Sequence, residues 1–328
     1  MLFSKLVKRN ILTASIVLVG FVQAFCQSRL GSISRDITVT VDNDIYFHTD
    51  YYYTAGAKIN YRRLIYKDSK LYKLMNSKQS NSARLFIDYH CGSKIFNPRN
   101  ISFKDSKTTD RPYAGYNYAG LNLIHFKSPT KGIDLGFELG VIGEITGLGE
   151  FQRWLHRQTH FLVPKGWDSQ INNEMVVNLN FQILRNVKVA RGVDLISNTG
   201  LYAGTGLSRI SQDVTFRFLR FNTISNSNFL KTNLNWEKSA TKLNNEFFLF
   251  AGLGIDYTVS NIFIEGSLFR FNRSPFTVAA EPLIFRTNAG LMYSRSRASI
   301  SMTVHHLSKE VAKGTSHTYA ALAFGYRF

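Results

Sequence analysis

Ile133-Asp134-Leu135-Gly136-Phe137-Glu138-Leu139-Gly140-Val141 places an apolar side chain at every second position, with a polar or small residue between. The same period returns in Val177, Leu179, Phe181 and Ile183, set between Asn178, Asn180 and Gln182. It returns again in Ala298, Ile300, Met302 and Val304, set between Ser299, Ser301 and Thr303. Successive strand side chains point to opposite faces, so each segment reads as a strand with one apolar and one polar side. A soluble β-sandwich alternates in the same way, so the period alone leaves two architectures open.

Three features favour a membrane. The candidate strands are about 10–15 residues long, enough for the ~9–11 residues of a tilted crossing and well above the ~5–6 usual in soluble sheets. Aromatics crowd strand ends, as in Tyr51–Tyr53, Tyr116 with Tyr118, and Phe247 with Phe248, where interfacial girdles are expected. The chain also stops inside an alternating strand, Ala320, Leu322, Phe324, Tyr326 and Phe328. Such a terminal Phe resembles the signal read by the outer-membrane barrel-assembly machinery. Only 19% of the 328 residues are charged, against ~25% in soluble domains. A mean hydropathy of −0.12 excludes a bundle of apolar helices, and 14% aromatics exclude a disordered chain. With no water in hydrocarbon to satisfy free amides, a sheet in a membrane must close. The expected fold is an all-β, transmembrane, antiparallel barrel with a short helix-bearing extracellular loop.

Residues 1–26 read as a secretory signal: Lys5, Lys8 and Arg9 precede a short apolar run over Ile11–Phe25. Residues 27–328 then form one barrel domain, with Cys91 as its single cysteine and no intramolecular disulfide. Thirteen candidate strands can be marked between 36 and 328, whereas bacterial barrels carry even numbers. Treating 174–204 as one interrupted crossing gives twelve, with fourteen as the alternative. Short turns are expected on the periplasmic side at Val259–Ser260 and Ser294–Ser296. The longer segments 222–241, 274–280 and 308–316 are expected outside.

Residues 144–172 break the period. Leu148, Phe151 and Leu155 share a helical stripe, and Gln152, His156 and His160 share another, before Pro164–Gly166 ends the helix. Such a loop either closes the barrel as a lid or carries function. A second unusual stretch is Val41–Gly56, where Asp42, Asn43, Asp44 and Asp50 concentrate hard oxygen ligands of the kind Ca²⁺ prefers. The bland reading is a solvated strand end with an Asx turn. Alternation puts Thr54, Gly56, Lys58, Asn60 and Arg62 on one face, expected to line the lumen. It also turns Asp42 and Asp44 inward and Asn43 outward unless a bulge or strand end re-aims it. A third segment, Asp110–Gly115, brings a charged pair and Pro112 to the start of a strand.

Taken in order, these segments resemble the lipid A 3′-O-deacylase (LpxR) family of Gram-negative outer membranes. The resemblance rests on Asn43-Asp44, Tyr53–Gly56, Asp110–Gly115, Gly140–Gly143, Gln152-x3-His156-Arg157, Gly166-Trp167-x2-Gln170 and Asn173-Glu174. It covers residues 36–205 well. The resemblance implies a twelve-stranded barrel that hydrolyses an ester-linked acyl chain of lipid A with Ca²⁺. It makes His156 the general base and Asp44 a calcium ligand, with Asn43 and Thr54 beside the metal and the scissile carbonyl. A family Lys at the oxyanion falls near Lys104. The family Glu a few residues after the His has no counterpart, since ungapped matching reaches Leu162; Glu174 and His160 are the substitutes at hand. The implied partners are lipopolysaccharide, outer-membrane lipids and, during insertion, the barrel-assembly machinery, for a monomer of the outer membrane.

The formal charge of +18 suits a phosphorylated lipid surface as well as simple solubility of outer loops. Nucleic acid is not implied, because no recognition motif accompanies the charge. Two alternatives stand beside the deacylase: a non-catalytic barrel acting as pore or scaffold, and an outer-membrane phospholipase, which needs a Ser–His pairing not evident here.

Overall fold

A computed structural model describes residues 33–76, 82–104, 109–235, 245–269 and 274–328; residues 1–26, expected to be a secretory signal, lie outside them. Twelve strands follow in order: β1 (Arg35–Asn43), β2 (Tyr52–Leu64), β3 (Arg84–Asn97), β4 (Ala114–Ser128), β5 (Lys131–Ile142) and β6 (Glu174–Ala190), then β7 (Val193–Gly204), β8 (Leu207–Arg220), β9 (Glu246–Asn261), β10 (Leu283–Arg295), β11 (Ala298–Leu307) and β12 (His317–Arg327). Short helices are α1 (Lys70–Met75), α2 (Leu148–Thr159) and α3 (Ile262–Glu265). Each strand pairs with its sequence neighbours, and β1 closes on β12 through pairs such as Val39 with Phe324. The barrel therefore has no free edge, which is the condition for a sheet in hydrocarbon.

The two faces are inverted relative to a soluble protein. Leu121, Leu135, Phe137, Leu139 and Leu179 are exposed on the outside, while Asp36, Thr38, Asn60, Arg62 and Asp88 are buried inside. Asp88 accepts from Asn60 at 2.9 Å and from Arg62 Nε at 3.0 Å, so lumenal charges are partnered rather than stranded. This inversion, absent from any sandwich, decides between the two architectures that the period left open.

The twelve strands agree with expectation, but not by the expected accounting. Residues 174–204 are two full strands, β6 and β7, joined across Arg191-Gly192 with Gly192 at φ 72°. The surplus candidate is 260–273, where no strand is described. Asn261 accepts a hydrogen bond from the Phe263 amide at 3.0 Å and caps α3, ending β9 there. Val259–Ser260 consequently lies within β9 and is no turn.

Barrels carry short turns on the periplasmic side and long loops outside. The end bearing both Arg35 and Arg327 also bears the turns after β4, β6 and β10, which makes it the inner end. The β8–β9 segment, expected outside, lies at this inner end. Phe229 and Leu230 pack against a buried cluster of Leu64, Phe86, Ile124, Leu184 and Ile196. Arg62 donates to the Leu230 carbonyl, and Arg84 to the carbonyls of Ser225 and Leu234. Fully buried Arg217 holds Asp194 at 3.0 and 2.6 Å and donates to Ser227 and Asn222 in the same segment. Residues 221–235 thus fold up into the inner mouth. At the outer mouth Phe263 stacks on Phe96 at 4.8 Å and meets Tyr116 at 5.2 Å. Tyr116 and Tyr118 therefore fill the lumen instead of forming a girdle, and of the Phe247–Phe248 pair only Phe247 faces outward.

Candidate active site

β1 stops at Asn43 because the Asn43 carboxamide accepts the Ile45 amide at 2.7 Å, an Asx turn that starts a 3-10 turn over Ile45–Phe47. This strand end releases Asp44 from the lumen. Its backbone amide still bonds to the Thr54 carbonyl at 3.1 Å, but the buried side chain turns toward the loop. Across from it, β2 carries a register shift between Tyr53 and Ala55. Thr54 is the extra residue of this bulge, and bulges re-aim side chains beside functional sites. Tyr53 lines the lumen and Ala55 packs outside with Ile95 and Trp167. Thr54, expected to line the lumen, is buried between the two.

Thr54 Oγ1 stands 2.8 Å from Asp44 Oδ1 and 2.8 Å from Asp50 Oδ1. A hydroxyl has one proton, so it donates to only one carboxylate at a time. The second contact calls for a proton on the other carboxyl or for a cation shared by both. Asp44 also accepts from Thr49 Oγ1 at 2.8 Å and the Tyr51 amide at 3.1 Å. Burial nevertheless pushes its pKa up to about 7, outweighing bonds from Thr49, Thr54 and Tyr51, and the Asp50 charge adds to the rise. Burial likewise raises Asp50, against the pull of His156 and the bonds from Thr54 and Asn97. Asn97, at the end of β3, donates to Asp50 Oδ1 at 2.8 Å, and its own carbonyl oxygen is buried with no partner.

α2 supplies the other half. Gly115 on β4 leaves room for it: a Cβ there would stand 2.6 Å from Thr146 Oγ1 and 3.0 Å from Leu148 Cβ. A Cβ at Gly149 would meet the Trp167 ring at 2.8 Å. These close approaches clamp the helix to the outer wall. Its buried residues are Gly149, Gln152 and His156; of the apolar stripe, Leu148 packs on the wall while Phe151 and Leu155 face away. Gln152 accepts from Trp167 Nε1 at 2.8 Å and donates to Asp50 at 3.3 Å. His156 Nδ1 lies 2.7 Å from the Leu162 carbonyl. A carbonyl only accepts, so Nδ1 carries a proton, and whenever the ring is neutral its lone pair is at Nε2. Nε2 lies 3.5 Å from Asp50 Oδ2.

The structure thus brings together Asp44, Thr54 and His156, with Asn43 shaping the turn beside them. It does not bring in the remaining candidates. Lys104 is exposed on the β3–β4 loop. Glu174 opens β6 opposite Ile142 and takes no part in the bonds around Asp44, Asp50 and His156. His160 ends α2 in the left-handed region and is exposed. Asp50 stands in the acidic stretch with no sequence signal for its role, and nothing in the sequence marks Asn97 or the Leu162 carbonyl. Among the described residues no three His, Cys, Asp or Glu side chains converge as a metal-binding group. The groups able to hold a hard cation are two carboxylates and neutral oxygens, from Asp44, Asp50, Thr54 and Asn97. A cavity of about 410 Å³ lies in the lumen, lined by Asp42, Tyr53, Lys58 and Lys94, and contains none of Asp44, Asp50 or His156. The candidate site is on the outer wall, not in the channel.

Comparison with known proteins follows the same line. The family model for outer membrane protein LpxR matches residues 12–328. LpxR from Salmonella typhimurium superposes with a TM-score of 0.69 at 18% identity, covering 89% of this chain and 100% of that one. The β domain of the Bordetella autotransporter BrkA gives a TM-score of 0.44 at 9% identity, covering 92% and 99%. The translocator domain of autotransporter NalP from Neisseria meningitidis gives 0.43 at 10%, covering 97% and 96%. No curated protein matches in sequence. With the family model spanning nearly the whole chain and the barrel closed at twelve strands, the chain belongs to the LpxR family of outer-membrane proteins.

Proposed function

We propose that this protein is a Ca²⁺-dependent lipid A deacylase that hydrolyses the 3′-O-linked acyl ester in the outer leaflet. One observation carries the reading: His156 Nε2, the nitrogen that holds the lone pair in the neutral ring, lies 3.5 Å from Asp50 in a buried oxygen cluster where one Thr54 hydroxyl proton serves two carboxylates. Asp44 and Asp50, with Thr54 Oγ1 and the unpartnered Asn97 carbonyl, are the groups that would hold the ion, and all-oxygen donors suit calcium. When bound, a divalent cation there supplies a Lewis acid for the ester carbonyl.

The side chains do the rest. The Leu162 carbonyl fixes the imidazole tautomer, so Nε2 can take a proton from water as the water adds to the ester carbonyl. The imidazolium then returns that proton to the departing sugar oxygen. The products are a free carboxylic acid and a sugar hydroxyl. The Asp50 carboxylate stabilises the imidazolium while it exists. No glutamate is needed at position 162, because the main-chain carbonyl there holds the imidazole.

The pore alternative is disfavoured by the same fold: residues 221–235 fill the inner mouth and α3 the outer one. Mass spectrometry of lipid A from cells with and without the gene tests the function. Loss of one acyl chain only when the gene is present is expected. Identical acylation in both would overturn the proposal.

A further inference from the structure

α2 is turned inside out. Its polar residues Gln152 and His156 are buried against the barrel wall, while Phe151, Trp154 and Leu155 are exposed, by 49%, 51% and 39%. Ile145 before the helix and Leu162 after it are more exposed still, at 66% and 57%. An amphipathic helix on a water-facing loop normally does the reverse, since exposed apolar area costs about 25 cal/mol per Å². The surface has three sides. Gln152 and His156 meet the wall; Phe151, Trp154 and Leu155 lie along a second side; Arg153 and Arg157 lie along a third, with Arg153 paired to Glu150 at 3.1 Å and Asp168 at 3.0 Å. Apolar and charged sides on one short helix are the pattern of a helix lying in a membrane interface.

The wall beneath has its own boundary. Outward-facing Leu139 and Val177 are exposed and apolar, as hydrocarbon requires. Higher on the neighbouring strands a local polar pair, Ser93 and Asn117, faces outward and bonds at 2.7 Å, and Asn117 donates to the Thr146 carbonyl just before α2. Val141 and Met175 flank this pair at the same height and face outward, Met175 with 71% exposure, so the helix leaves the wall beside its apolar band and its own apolar side continues that band outward.

We infer that α2 is an interfacial helix seated in the outer leaflet, with Phe151, Trp154 and Leu155 among lipid acyl chains and Arg153 and Arg157 at the headgroups. The slot between α2 and the wall, which holds His156, then opens sideways to the leaflet. A lipid reaches the site by lateral movement and never leaves the membrane for water. The lipid contact stands on burial and position alone; the lateral route rests on the proposed deacylase.

The test is quenching of tryptophan fluorescence in vesicles whose phospholipids are brominated on their acyl chains. The component of emission that Trp154→Phe removes is expected to be strongly quenched by brominated chains and shielded from aqueous iodide. His156→Ala should show the same quenching, so loss of the catalytic reading would leave this one intact. The inference is overturned if the Trp154 component is quenched by iodide and untouched by bromine. Equal quenching of wild type and Trp154→Phe by bromine would overturn it as well.

Discussion

Replacing Asp44 by Asn separates a metal ligand from a structural carboxylate by the sign of its effect. Asp44 is 1% exposed and accepts three hydrogen bonds, yet its pKa is pushed to about 7 from an ordinary 3.8. A folded acid with a raised pKa holds its proton longer than the unfolded chain does, so stability falls as pH rises from about 4 to about 7, and the full cost is present above that. At about 1.4 kcal/mol per pH unit, ionised Asp44 costs the metal-free barrel about 4 kcal/mol. Asn abolishes that charge. It also turns an amide donor toward Thr49, Thr54 or the Tyr51 amide, a clash worth about 1–3 kcal/mol. The metal-free variant should therefore be as stable as wild type or about 1–3 kcal/mol more stable at about pH 8. Calcium reverses the ranking: at a hundred times its Kd it stabilises wild type by about 2.7 kcal/mol, and the variant gains nothing. Thermal unfolding in detergent, with EDTA and with calcium, reads both quantities. A variant destabilised in EDTA, or stabilised by calcium as much as wild type, would refute the reasoning.

Three further outcomes follow from the same geometry. Leu162→Ala should leave hydrolysis within a few-fold of wild type, because the main-chain carbonyl holds His156 Nδ1; a loss approaching the roughly 10²–10⁴-fold contribution of a general base, measured on purified lipid A, would contradict that. Arg217→Ala strips the buried Asp194 of its guanidinium and should destabilise the barrel by about 3–5 kcal/mol. Since Arg217 also ties down Asn222 and Ser227, limited proteolysis in detergent should cut within 221–235 faster in the variant than in wild type; equal rates would show that the latch is not Arg217. Calcium binding displaces the Asp44 proton, so below about pH 7 the apparent calcium Kd should rise about tenfold per pH unit; a flat titration calorimetry profile would count against Asp44 as ligand.

Much of the barrel was legible because strand side chains alternate with a strict period of two, and that period survives along whole strands such as β5 and β6. Connections were harder. The turn at Arg191-Gly192 is too short to interrupt the alternation, and the segment after Asn261 alternates without forming a described strand, so two errors cancelled in the count. The side on which 222–241 sits could not be read, because a loop that plugs a mouth and a loop that meets solvent are both mixed in composition. In the site, Asn43, Asp44 and His156 were visible as motif residues. The Thr54 bulge was not: one extra residue leaves no mark on the pattern, yet it turns a lumenal hydroxyl toward two carboxylates. The role of Leu162 lay beyond any reading of side chains, because its backbone does the work. The stripes on α2 were read correctly as stripes, but which one faced the protein depended on a membrane outside it.

The most direct measurement is mass spectrometry of lipid A incubated with the purified barrel, in EDTA and after calcium is restored, for wild type and His156→Ala. Wild type with calcium should release one ester-linked acyl chain; EDTA or the substitution should abolish release while the barrel stays folded. Release that persists in EDTA, or that His156→Ala leaves unchanged, would contradict the assignment of the ion and the base to this site.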